Sequence, residues 1–259
     1  MTLQLENKTA LVTGSTKGIG FAIARLLAAE GATVIINGRS EDSTRAAAAR
    51  LGGRARGVAA DVSTAAGCAE LLRQVPRVDI LVNNAGIFEP KPFAEIPDAD
   101  WERFYQVNVL SGVRLARAHL PEMLRQNWGR VVFISSESGV QIPEEMIHYG
   151  MTKAAQLALV NGMAQLTKGT GVTVNAVLPG PTASEGVTEF VGQLAASARQ
   201  TAEQFEKEFF RSVRPTSLLQ RFATPDEVAN LVAYLCSPLA SATNGAAMRA
   251  DGGVVRGTV

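Results

Sequence analysis

Thr9-Ala10-Leu11-Val12-Thr13-Gly14-Ser15-Thr16-Lys17-Gly18-Ile19-Gly20 is the stretch whose reading decides the fold. Residues 9–13 are a short apolar run with β-branched members, the pattern of a buried strand. Residues 21–30 carry helical character, and Gly31 stops them. The glycines between strand and helix are spaced G-x-x-x-G-x-G, not the commoner G-x-G-x-x-G. The physics is shared: glycines allow a tight turn and let the backbone approach a pyrophosphate, which sits at the N-terminus of the helix. No Gly-Lys-Ser/Thr closes the turn, so it is not a Walker loop. Taken alone, it reads equally well as an ordinary strand-to-helix turn.

Outward from this unit the pattern repeats. Apolar runs at 33–37, 55–60, 78–82, 130–135, 173–178 and 246–249 read as further strands. Helical stretches at Glu41–Leu51, 64–73, 99–126, 149–168 and Pro225–Cys236 fall between or beside them. Alternating strands and helices imply parallel strands with right-handed crossovers. The expectation is an α/β chain: a single doubly wound Rossmann-type domain over residues 1–259 with a parallel, seven-stranded sheet. Ligands of such sheets bind at the carboxyl ends of the strands, so the residues just past each strand matter most.

Composition narrows the function. Hydrophobic residues make up 46% of the 259, ample for a large core, and the net charge of +1 gives no pull on nucleic acid or anionic membrane. Cys68 and Cys236 make no disulfide framework, and His119 and His148 lack ligand spacing, so no metal is expected. Residues 1–8 lack an apolar signal core and no apolar run reaches about 18 residues, so a spanning helix is not expected and a reduced, cytoplasmic setting is.

The chemistry points to His148-Tyr149-Gly150-Met151-Thr152-Lys153. On a helix, Tyr149 and Lys153 lie four apart on one face. A phenol titrates near pH 10, and an adjacent ammonium favours the phenolate. Such a pair can protonate a carbonyl oxygen or deprotonate an alcohol. Other residues fall at strand ends: Asn83-Asn84-Ala85-Gly86 after the fourth, Ser135-Ser136 after the fifth, Pro179-Gly180-Pro181 after the sixth. Asn108 stands amid apolar neighbours in a helix, where its amide needs a partner if buried.

These motifs, in this order from residue 8 to residue 253, resemble the short-chain dehydrogenase/reductase family. The resemblance implies a catalytic tetrad of Asn108, Ser136, Tyr149 and Lys153. Tyr149 would give the proton to the carbonyl oxygen and Ser136 would hold that oxygen. Lys153 would lower the tyrosine's pKa and bond the nicotinamide ribose, and Asn108 would support a water leading to Lys153. Gly14, Ser15, Thr16, Lys17, Gly18, Ile19 and Gly20 would cradle the pyrophosphate, and Asp61 with Val62 the adenine. Asn84, Ala85 and Gly86, with Pro179 and Gly180, would flank ribose and nicotinamide. Either Thr182 or Ser184 would supply the hydroxyl that follows Pro-Gly. The implied activity is hydride transfer between NADP(H) and a ketone or secondary alcohol. A 3-oxoacyl-[carrier protein] reductase, an NAD-dependent alcohol dehydrogenase and a non-catalytic dinucleotide-binding regulator are the alternatives. The carrier-protein reading needs a basic patch, to which Arg125, Arg130 and Lys168 would contribute. A homotetramer is implied as well; helix 149–168 is apolar almost all round, so a second subunit is expected to cover it together with helix 99–126.

Two finer expectations concern specificity. Residues 183–214 are read as a substrate-covering segment, helical at 187–194 and 201–210, over a mainly apolar pocket walled by Phe88 and residues 137–147. Glu144 and Glu145 are read as solvated surface carboxylates, with a polar contact to the pocket as the alternative. The second strand ends Asn37-Gly38-Arg39-Ser40, with no carboxylate to select NAD. Arg39, joined by Lys17, can take a 2′-phosphate and so favour NADP, unless Glu41 or Asp42 folds back onto Arg39.

Overall fold

The computed structural model describes residues 2–185 and 200–257. Seven strands form one parallel sheet in the order β3-β2-β1-β4-β5-β6-β7. They are β1 (Thr9–Val12), β2 (Thr33–Gly38), β3 (Ala55–Ala59), β4 (Ile80–Asn83), β5 (Gly129–Ile134), β6 (Val172–Pro179) and β7 (Ala247–Ala250). The expected α/β class and strand count are those observed. The chain turns back between β1 and β4, and this switch point opens the crevice where ligands of such sheets lie. β4 starts two residues later than expected, at Ile80; Asp79 just before it accepts the Thr9 amide with its carboxylate, at 2.9 Å.

Helices cover both faces. On one face α1 (Gly18–Ala29) and α8 (Pro225–Cys236) bury Ile23, Leu27, Val228 and Val232 against the sheet. On the other, α3 (Ala65–Gln74), α5 (Ser111–Arg125) and α6 (Ile147–Gln165) bury Leu71, Leu115, Met123 and Val160. α2 (Glu41–Leu51), α4 (Asp98–Tyr105) and α7 (Ala202–Ser212) are the other α-helices among the described residues. The expected helix 187–194 lies outside the described residues.

Helix starts are written in the sequence. Ser40 and Thr64 cap α2 and α3 by accepting from Ser43 N and Gly67 N. Thr201 with Gln204 and Thr224 with Glu227 form capping boxes at α7 and α8. α1 differs: Lys17 precedes it and offers no side-chain acceptor, so its first amides keep their demand for an anion.

The single helix expected over 99–126 is two helices joined by a π-turn, Gln106–Leu110, with Asn108 at its centre. Asn108 Oδ1 accepts from Ile87 N at 2.8 Å, and Nδ2 donates to Ile87 O and Thr152 Oγ1, both at 3.0 Å. Its carbonyl accepts from Gln156 Nε2 at 2.5 Å. The buried polar group thus finds partners in the strand-4 loop and α6, and the helix widens to let it. No described helix is long and apolar enough to cross a membrane.

Candidate active site

The glycine turn is bolted to its neighbours. Asn84 Nδ2 donates to Thr13 O at 2.9 Å and Gly14 O at 3.0 Å, while Thr13 Oγ1 accepts from the amides of Asn84 and Ala85 at 3.0 Å. Ser15 Oγ donates to Val12 O at 2.6 Å and accepts from Asn37 N at 3.1 Å. The Asn37 side chain holds Val58 O and Ala60 O. Asn37 was not expected in the site; a buried amide in an apolar strand run was the available signal. At Gly20 a Cβ would stand 2.6 Å from Gly14 O, so the turn closes only around a bare backbone. The chemistry of the cradle is that of an anion site: uncapped amides at the start of α1, with Glu185 Oε2 already drawn to Gly18 N at 2.6 Å. This donor set fits a dinucleotide pyrophosphate.

At the end of β2, Arg39 and Lys17 are exposed and meet no acceptor among the described residues. The fold-back expected as an alternative is absent at Asp42, which pairs with Arg45. A Cβ at Gly38 would meet Thr16 Cγ2 at 2.6 Å, so an acid there would require Thr16 to move. Asp61 is exposed and caps Ser63 N at 3.0 Å, whereas Val62 turns its side chain into the core.

Ser136, Tyr149 and Lys153 line one cavity of about 540 Å³ with Ile19, Asn84, Gly86, Pro179, Gly180, Thr182 and Ser184. Thr182 Oγ1 donates to Gly180 O at 2.9 Å, while the Ser184 side chain lies against Gly18. Asn108 stands behind Gly86: a Cβ on that glycine would be 3.4 Å from Asn108 Oδ1 and 3.5 Å from Lys153 Nζ. The expected relation between Tyr149 and Lys153 is different in detail. Lys153 Nζ lies 5.5 Å from the Tyr149 ring centre and donates to Ile134 O at 2.9 Å. Burial pushes the Tyr149 phenol above its ordinary value, and a hydrogen bond to Ser136 only partly offsets this. Burial also pushes the Lys153 ammonium down to about 7. In the protein itself desolvation is the leading cause of both shifts.

The far wall carries residues that the sequence reading missed or misjudged. Glu137, buried beside Ser136, accepts from Ser136 Oγ, from Ser138 N at 2.7 Å and from Ser138 Oγ at 2.9 Å. Arg214, at the end of the 183–214 segment, pairs with Glu137 at 3.2 Å and with Glu145 at 3.1 Å. Glu145 is therefore an ion-pair partner lining the cavity, not a solvated surface group. Glu137 directly follows a serine at a strand end, which was the signal available. Phe88, Phe205, Phe209 and Phe222 make the remaining wall apolar, as expected for Phe88. Of the three residues read toward a basic patch, Arg130 is buried and donates to Ser237 O, Gly129 O and Gly171 O, Arg125 pairs with Glu122, and Lys168 is exposed.

The profile of the short chain dehydrogenase family matches residues 8–194. The chain belongs to the short-chain dehydrogenase/reductase family. It is therefore an oxidoreductase of that family, with the family's parallel sheet. YvaG of Bacillus subtilis (strain 168), an oxidoreductase, is 50% identical over 99% of both chains. The 3-oxoacyl-[acyl-carrier-protein] reductase FabG of Aquifex aeolicus (strain VF5) is 35% identical, over 98% of this chain and all of that one. L-sorbose reductase from Gluconobacter frateurii, solved with NADPH and L-sorbose, superposes with a TM-score of 0.94 at 30% identity, covering 99% of this chain and 100% of that one.

Proposed function

We propose that this dehydrogenase/reductase transfers a hydride between NADP(H) and a ketone or secondary alcohol, with Tyr149 as the acid/base. The observation that carries the reading is the convergence of Ser136, Tyr149 and Lys153 on one cavity with the glycine-turn and Pro179-Gly180 residues. The nicotinamide would supply the hydride. Tyr149 gives its phenolic proton to the carbonyl oxygen in reduction and takes it back in oxidation. Ser136 holds that oxygen; its one proton rests on Glu137 and must turn to the substrate, leaving Glu137 with Ser138 and Arg214 as partners. Lys153 bonds the ribose and, in its protonated form, sets a positive charge near the phenol. Of the covering segment read at 183–214, Phe205, Phe209 and Arg214 line the cavity, and residues 186–199 lie outside the described residues. Oxidation of NADPH on a panel of ketones tests the proposal. Tight NADPH binding without turnover of any ketone, or of any alcohol with NADP, would point instead to the regulator reading.

Arg39 and Lys17 support NADP over NAD, since two cations and no carboxylate meet the adenosine ribose position. Arg39→Ala is expected to raise the KM for NADPH about tenfold or more, one charge-assisted contact being lost, and to leave NADH nearly unchanged. Equal losses with both cofactors would remove Arg39 from phosphate recognition. Glu185 is expected to act the other way. Its carboxylate occupies the Gly18 amide that the pyrophosphate would use. Glu185→Gln should tighten NADPH binding about two- to fivefold, the scale of one charge at a helix N-terminus; weaker binding in a fluorescence titration would show that Glu185 supports the cofactor.

Assembly follows from α6. Its buried face includes Thr152, Lys153 and Gln156, while Leu166 just past its end and, on α4, Tyr105 are exposed. The proposal is a homotetramer in which α6 and α4–α5 meet a second subunit. Light scattering at micromolar concentration should give a multiple of the 27.4 kDa chain mass; a monomer would refute it.

A further inference from the structure

The charged groups on the cavity wall are Lys153, Glu137, Glu145 and Arg214. Arg214 is 9% exposed, and its backbone amide is fixed to Phe209 O at 3.0 Å. Its Nε donates to Glu137 Oε1 and its Nη1 to Glu145 Oε1. Among the described residues Nη2 meets no acceptor, and it is not among the side-chain nitrogens sealed from solvent. Glu137 is saturated by Ser136, Ser138 and Arg214. Glu145 is not: Oε1 takes Arg214, and its side chain is 38% exposed. One wall thus offers a two-proton donor beside a carboxylate acceptor. Glu137 bridges this group to Ser136, taking Arg214 Nε on one oxygen and Ser136 Oγ on the other.

An arginine in a pocket invites a carboxylate substrate, but here Nε and Nη1 are already committed to Glu137 and Glu145, so no two-pronged pair with a further carboxylate is open. The Glu145 carboxylate beside the one open nitrogen opposes a second anion there. An ammonium would face the uncommitted Nη2. We infer that the substrate is an uncharged hydroxyketone, with a hydroxyl on the first or second carbon from the reacting carbonyl. The hydroxyl oxygen accepts from Arg214 Nη2 and its proton goes to Glu145, while Phe88, Phe205, Phe209 and Phe222 take the carbon chain. This rests on the reductase reading above.

Four six-carbon ketones test it with NADPH: 2-hexanone, 1-hydroxy-2-hexanone, 4-hydroxy-2-hexanone and 3-oxohexanoate. At least one hydroxyketone is expected to exceed 2-hexanone about tenfold or more in kcat/KM, the scale of one hydrogen bond to a charged group, with 3-oxohexanoate the poorest. Glu145→Gln should raise KM for the hydroxyketone with kcat kept, so that its advantage over 2-hexanone shrinks. A merely structural Glu145 would lower both substrates alike. Equal kcat/KM for hydroxyketones and 2-hexanone, or a preference for 3-oxohexanoate, would overturn the inference alone. No reduction of any of the four by protein that binds NADPH would overturn the reductase reading and the inference with it.

Discussion

Tyr149→Phe is expected to lower kcat/KM by about 10³-fold, within the range that a positioned acid/base contributes. The substitution removes one oxygen and keeps the ring, so the edge contact with Phe88, centres 6.4 Å apart, survives. NADPH affinity should stay within a few-fold of the parent. The phenol is held in its protonated form by burial, which suits a donor to a carbonyl and leaves little phenolate to compensate. Turnover within tenfold of the parent enzyme would end the assignment of Tyr149 as acid/base. Ser136→Ala should lose less, because Tyr149 keeps its proton.

Lys153→Met should inactivate the enzyme on a comparable scale and yet stabilise it against unfolding. Burial drives the Lys153 ammonium from 10.5 to about 7 in the folded protein. The unfolded chain therefore holds a proton there that the folded chain releases between about pH 7 and 10.5. The cost to stability is full below pH 7 and fades as pH rises toward 10.5. Methionine removes that cost and fills the space. It also leaves Ile134 O without its donor, which offsets part of the gain. The net gain is expected to be on the order of 2 kcal/mol larger at pH 6 than at pH 9. Urea unfolding at the two pH values reads it directly; a variant less stable at pH 6 than at pH 9, relative to the parent, would contradict the burial argument.

Most of the frame was legible because periodicity and punctuation carry it. Strand runs, helical periodicity and glycines at a turn are local signals, and local signals survive in a sequence. The meeting of Ser136, Tyr149 and Lys153 on one cavity was legible for a similar reason, since Tyr149 and Lys153 share a helix and Ser136 ends a strand. What stayed hidden depends on partners far apart in the chain. Arg214 and Glu137 are 77 residues apart, and nothing near either names the other. Glu145 looked solvated because carboxylates usually are, and only the fold brings Arg214 to it. The expected pull of Lys153 on Tyr149 reflected spacing alone; burial acts on each separately, and spacing does not report it. The break in helix 99–126 was foreshadowed by Asn108, though its form was not.

The π-turn at Gln106–Leu110 has a meaning for how this chain tolerates insertions and deletions. A π-turn is an α-helix with one surplus residue. Losing any one of the five would restore regular i→i−4 bonding and improve the helix as a helix. Each residue advances an α-helix by about 100°, so the same loss would swing everything on one side of the cut by that angle relative to the other. Asn108 would leave Ile87 and Thr152, or Leu115 and Met123 would leave the core. The helix length here is thus set by phase, and a single-residue deletion that looks harmless to secondary structure would uncouple the strand-4 loop from α6.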